Sequence, residues 1–167
     1  MKNINWIVFA CFCLLQLLIN NFFAPSQYLL LSFLPLIIVG LPLKYGTIVT
    51  MLMAFATGLG VDVLSSTAIG ISACALLPVA LLKNVVLYMV GGEELLSNHE
   101  NSPLAYQTFW KNALTLFILC ALYFAVYVWI DAAGTRSFGF NTVRWCCSVL
   151  VSGLLSCLCA SVLYKKS

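Results

Sequence analysis

Asp62, Lys83 and His99 stand out because so little of this chain ionises. Among 167 residues there are 5 Asp and Glu, 8 Lys and Arg, and 1 His. An acid, an amine and an imidazole are general acid–base groups when brought together, and eight cysteines invite a metal reading. Spacing argues against both. His99 lies in the polar stretch "GGEELLSNHENSP" at 91–103, beside glutamates, and no serine or cysteine nucleophile is placed with it. Neither a GxxxxGK[ST] phosphate loop nor an HExxH zinc pair occurs. Cys11, Cys13, Cys74, Cys120, Cys146, Cys147, Cys157 and Cys159 all fall in apolar runs. Cys11/Cys13 and Cys157/Cys159 are two residues apart, which on a helix turns the side chains about 200° from one another. Cysteine here reads as a small, lipid-compatible side chain. The expectation is a protein that is not an enzyme, with no catalytic residues, no metal and no cofactor.

What positions these few groups follows from the composition. Charged residues make up 8% of the chain and hydrophobic ones 63%, against about 25% charged in a soluble domain. The apolar residues come in long blocks, the mark of spanning helices and not of barrel strands. Runs of about 20 apolar residues place six spans at 5–24, 28–43, 46–64, 68–90, 110–131 and 144–164. The expectation is an all-α polytopic membrane protein, with 1–167 forming a single six-helix transmembrane domain. The first run is too long for a signal peptide's apolar core and reads as a retained span. Only 91–109 and 132–143 are long connections.

Basic residues orient the bundle. With the N-terminus inside, Lys2, Lys44, Lys111, Lys165 and Lys166 are cytoplasmic, against Arg136 and Arg144 outside; Lys83 lies within a span. Both termini are then cytoplasmic, in an inner-membrane-type bilayer. Trp6, Trp110, Trp129 and Trp145 fall near span ends, as an aromatic belt requires. A net charge of +3, scattered along the chain, gives no nucleic-acid footprint.

Small residues mark the packing faces. Ala54, Gly58 and Asp62 are spaced i, i+4, i+8 and share one face of the third span. Asp62 follows Lys44 by a rise of about 27 Å, which puts it near the outer boundary of the bilayer. Two readings stand for it: a cap on the turn, or a contact to a partner or ligand. Gly70 keeps the first turn of the fourth span slim. In the last span Ser152, Ser156 and Ala160 form a second small stripe, read as a helix-packing face within the bundle or toward another subunit; the facing helix is open, and Ala73 and Ala80 of the fourth span offer one small line for it. Lys83 either snorkels about 10 Å to the helix end, or the fourth span stops near it and 85–96 lies along the interface.

The middle of the chain resembles MreD, the small membrane component of the bacterial rod-shape (elongasome) system. The resemblance rests on Leu34-Pro35-Leu36, then Gly58-Leu59-Gly60-Val61-Asp62-Val63-Leu64, then Gly70-Ile71. Val63-Leu64 stands where the family more often has leucine directly. Elsewhere the spans match only as apolar helices. The resemblance implies six helices in a fold similar to the substrate-binding subunits of energy-coupling-factor transporters. It also implies a non-enzymatic role, binding a bitopic MreC-like partner and, with it, MreB, a shape-class glycosyltransferase and a transpeptidase. Gly58, Asp62 and Gly70 match its core motif. The alternative is a vitamin transporter's substrate-binding subunit. Those carry a small-xxx-small face on the first helix, which "WIVFACFCLLQLLINNFFA" lacks, with Leu14 four residues after Ala10.

Overall fold

The structure is a computed structural model. It describes residues 2–22, 29–65, 68–92, 103–105, 108–133 and 136–163. These form six α-helices: α1 (Lys2–Phe22), α2 (Leu34–Gly40), α3 (Gly46–Leu64), α4 (Ile71–Gly91), α5 (Phe109–Ala132) and α6 (Phe138–Leu163). Four of them, α3 to α6, are long and apolar enough to cross a membrane. The protein is a membrane-embedded helical bundle. The acidic stretch with Glu93, Glu94, His99, Glu100 and Asn101 lies outside the described residues, as do Pro25–Gln27 and Ser66-Thr67.

α3, α4, α5 and α6 pack in chain order, each against the next, and α1 lies against α2 and α3. Asn20 and Asn21 near the end of α1 reach Ser65 Oγ (3.4 Å) and the Leu64 carbonyl (3.3 Å). The ends of α1 and α3 and the start of α4 therefore share one end of the bundle, which also carries the short α5–α6 connection. We call it the turn end and the opposite one the far end.

The second sequence run departs from a spanning helix. Of 28–43, only Leu34–Gly40 is α-helical. Two prolines explain the limits. Extending α2 backwards would set the Pro35 ring against the Leu31 carbonyl, and a helix cannot run on through Pro42 without losing a bond to Ile38. The short helix is wrapped on all sides: Leu34 to Val39 are all buried, packed against α4, α5 and α1. It forms the centre of the bundle, where Leu104 from the Pro103–Ala105 turn joins it.

Two further boundaries correct the sequence reading. α6 begins at Phe138, so Arg144 and Trp145 lie inside the helix and not in a loop or at a span edge. Trp145 Nε1 donates to the Ala121 carbonyl of α5 at 3.0 Å, within the helix seam. α4 runs on to Gly91, so no interfacial helix starts after Lys83.

Candidate functional site

Gly58, Asp62 and Gly70 meet in one joint between α3 and α4. A Cβ on Gly58 would stand 2.5 Å from Ala73 Cα, so the two backbones touch where only glycine fits. Ala54, one turn earlier, is fully buried on the same face. One turn later, Asp62 Oδ2 accepts from the Gly70 amide (2.9 Å) and the Ser72 amide (3.0 Å). A carboxylate over the first amides of α4 satisfies donors that no helix can pair internally, and it meets the positive end of the helix dipole. Gly70 is the N-cap with φ of +97°, a left-handed conformation that favours glycine. Of the two readings for Asp62, the geometry gives the cap; the residue is buried. Ala73 faces α3 here, not the α6 stripe.

The α6 stripe meets backbone. Leu30 N–H donates to Ser148 Oγ (2.9 Å), Ser152 Oγ–H donates to the Leu30 carbonyl (3.2 Å), and Ser32 N–H donates to Ser152 Oγ (3.2 Å). From the other side, Gln16 Nε2 donates to the Leu31 carbonyl (3.2 Å) and Phe33 N–H donates to Gln16 Oε1 (2.7 Å). Residues 30 and 32 thus face α6, while 31 and 33 face α1. That period of two is extended chain. In hydrocarbon an extended chain has no water to pair its amides and carbonyls. Side chains supply a ladder on both edges instead. Ser156, one turn beyond Ser152, is fully buried near the Cys120 thiol of α5, and its hydroxyl makes no hydrogen bond of ordinary geometry among the described residues. Ala160 is buried in the core. The buried Tyr123 of α5 stands near Ser32 and Ser72, between the extended segment and the α3–α4 joint.

Lys83 holds the other end of this segment. It is 1% exposed, and its Nζ donates to the Leu41 carbonyl, the C-cap of α2, at 2.6 Å. Lysine at a helix C-terminus is favourable because the last carbonyls are unpaired and negative. The side chain points inward and does not snorkel. Nearby, Asn84 Nδ2 donates to Thr47 Oγ1 at 3.0 Å. The two described acids, Asp62 and Asp131, both sit at the turn end, about 18 Å of helix rise away in the case of Asp62's contact with α4.

At the turn end Arg144 Nη1 pairs with Asp131 Oδ2 at 2.5 Å. Arg144 Nε and Asn141 Oδ1, one turn apart on α6, are buried without partners among the described residues. The sequence reading missed Gln16, Ser148, Asn141 and the inward Arg144. A lone glutamine in an apolar run was the available signal, since a membrane helix carries an amide only where something bonds it. Among the described residues no three His, Cys, Asp or Glu stand together as a metal would need. What the arrangement does chemically is hold backbone in place. No family model, curated protein or solved structure matches this chain.

Proposed function

We propose that this chain is a non-enzymatic scaffold of the rod-shape, wall-elongation machinery. In this reading it is an MreD-like bundle of the bacterial inner membrane that binds an MreC-like bitopic protein. It helps couple cytoskeletal MreB to lateral peptidoglycan synthesis by a glycosyltransferase and a transpeptidase. The observation that carries the reading is the α3–α4 joint. The residues of the resembling motif, Gly58, Asp62 and Gly70, converge on one contact and are spent on rigidity. A scaffold needs a fixed shape more than a reactive group.

Six crossings fit the same reading. The extended segment with α2 spans about 25 Å from Leu29 to Gly40 at ordinary rises per residue, running from the turn end toward the far end. The fold similar to energy-coupling-factor substrate-binding subunits belongs to this reading too. Orientation is supported by the exposed Lys44 and Lys111 at the far end. Of the opposing charges, Arg144 is buried within α6 and is not a loop residue, which leaves Arg136 exposed at the turn end. Both termini are then cytoplasmic.

The second reading, a transporter's substrate-binding subunit, is favoured by one observation. Buried orphan groups such as Arg144 Nε and Asn141 Oδ1 are the kind that a bound small molecule satisfies. Purification from native membranes separates the two. Co-elution of an MreC-like protein, reduced in Gly58→Leu, supports the scaffold. Co-elution of an ATPase pair with a retained small molecule overturns it.

A further inference from the structure

Ser148, Ser152 and Ser156 recur at one helical turn, about 6 Å apart. Two residues of extended chain advance about 6.6 Å. The two repeats stay in register, and both run from the turn end toward the far end. Ser148 takes the Leu30 amide; Ser152 takes the Leu30 carbonyl and the Ser32 amide. The next rung of the same ladder is the Ser32 carbonyl and the Leu34 amide, and Ser156 is the hydroxyl that falls there. Its hydroxyl is buried and makes no hydrogen bond of ordinary geometry among the described residues.

The rung is unmade because the chain leaves extended backbone two residues early, at Phe33. Phe33 is the α2 N-cap with φ −99° and ψ 0°, and this diverts the Leu34 amide to Ser32 Oγ at 3.3 Å, at the long end for such a bond. Leu34 also precedes Pro35, and a residue before proline is biased away from the helical region toward extended backbone. Pro35 itself is best placed as the first helical residue. Local preference and an orphan hydroxyl therefore point to the same second arrangement.

We propose that the boundary between extended chain and α2 shifts by two residues. In the second state Phe33 and Leu34 are extended, α2 begins at Pro35, and Ser156 receives the Leu34 amide and donates to the Ser32 carbonyl. Each residue converted from helix to extended chain adds about 1.8 Å. The shift drives α2 about 4 Å toward the far end, against the Leu41–Lys83 contact. Events at the turn end, where α1 and α6 grip the segment, are in this way transmitted to the far end through the centre of the bundle. The losses are the bond from the Ile37 amide to the Phe33 carbonyl and the one from Leu34 to Ser32. The Ser156 rung offsets these two in number, and the Lys83 side chain must follow the Leu41 carbonyl as α2 moves.

The test places 4-trifluoromethyl-phenylalanine at position 33 of the full chain in nanodiscs and records fluorine NMR. The ring sits at the hinge, 6.1 Å from that of Phe12. Wild type should give two resonances. Ser156→Ala should reduce the minor one roughly fivefold, the weight of one hydrogen bond. Pro35→Ala should reduce it as well by freeing Leu34. Thermal melting runs alongside: Ser156→Ala should melt no earlier than wild type, because it removes an orphan hydroxyl from the ground state. A single resonance that neither substitution moves overturns the proposal. So does a minor population that Ser156→Ala leaves unchanged or raises.

Discussion

Gln16 of α1 and Ser152 of α6 hold neighbouring amides of one extended segment from opposite sides, Phe33 N–H at 2.7 Å and Ser32 N–H at 3.2 Å. Each side chain also takes the carbonyl two residues earlier on its own edge, Leu31 for Gln16 and Leu30 for Ser152. They act as two strands of a sheet would, with one residue each. The α1–α6 closure of the bundle is therefore built on side-chain hydrogen bonds to one stretch of backbone.

Gln16→Met keeps the length and removes both bonds to the segment, together with the one to Asn20. It should lower stability by about 1–3 kcal/mol, because the Phe33 amide and Leu31 carbonyl are left buried and unpaired. Combined with Ser152→Ala, the loss should be non-additive by about 0.5 kcal/mol or more, since both grip the same segment. Denaturation of the four proteins in detergent measures this. Full additivity would show that the two edges are independent.

Gly58→Ala and Gly60→Ala make a matched pair, two residues apart on α3. The first puts a methyl 2.5 Å from the Ala73 backbone, whereas the second meets nothing within 4 Å. The expected loss is about 1–3 kcal/mol at Gly58, and Gly60→Ala should be neutral or slightly stabilising through helix propensity. Equal melting temperatures would contradict the close crossing of α3 and α4.

Asp62→Asn retains an oxygen acceptor for Gly70 and Ser72 but loses the charge at the α4 N-terminus. About 0.5–1 kcal/mol should go. Asp62→Leu removes the acceptor from two amides and should cost about 2 kcal/mol more. Gly70→Ala, forced to hold φ near +97°, should cost about 1–2 kcal/mol. Urea or thermal unfolding of the purified protein orders the three. A ranking with Asn below Leu would remove Asp62 from the cap.

For Lys83 the magnitudes oppose each other. A hydrogen bond from an ammonium to the Leu41 carbonyl is worth about 1.5–3 kcal/mol, while the desolvation of an unpaired buried charge is several kcal/mol. Lys83→Met should therefore melt no earlier than wild type, and Lys83→Glu, which turns a carboxylate on that carbonyl, should fail to fold. A large loss in Lys83→Met would mean that the tie at the end of α2 outweighs charge burial.

Long apolar runs were legible. α3 falls on 46–64, and α4 and α5 begin and end within a few residues of 68–90 and 110–131. The run at 28–43 was not, because hydropathy is blind to backbone: Leu30 and Leu31 are as apolar in extended chain as in a helix. Pro35 and Pro42 carried the missing information. The regular spacing of Ser152 and Ser156 was visible as well. That their line met an extended chain, and not a small-residue helix, depended on a partner more than a hundred residues away. Gly58, Asp62 and Gly70 stood out from sequence by type and spacing, and the joint they make could be reasoned from a single helical face. Arg144 was misplaced because its partner Asp131 sits across the α5–α6 connection and permits a charge inside the helix.

The ladder that closes the bundle also sets an order of assembly. Leu30 and Ser148 are 118 residues apart, and Ser32 and Ser152 are 120 apart. As the chain leaves the ribosome, the extended segment is made more than a hundred residues before its second edge. Until α6 arrives, its Leu30 and Ser32 groups lack the partners they have in the finished fold, and hydrocarbon tolerates that poorly. The segment must therefore wait, in water, at the interface or as a transient helix, and take its place only when α6 has been made. A chain shortened before Ser148 keeps the α3–α4 hairpin but has no lock for its own centre. Quality control in the membrane would meet it as an open bundle.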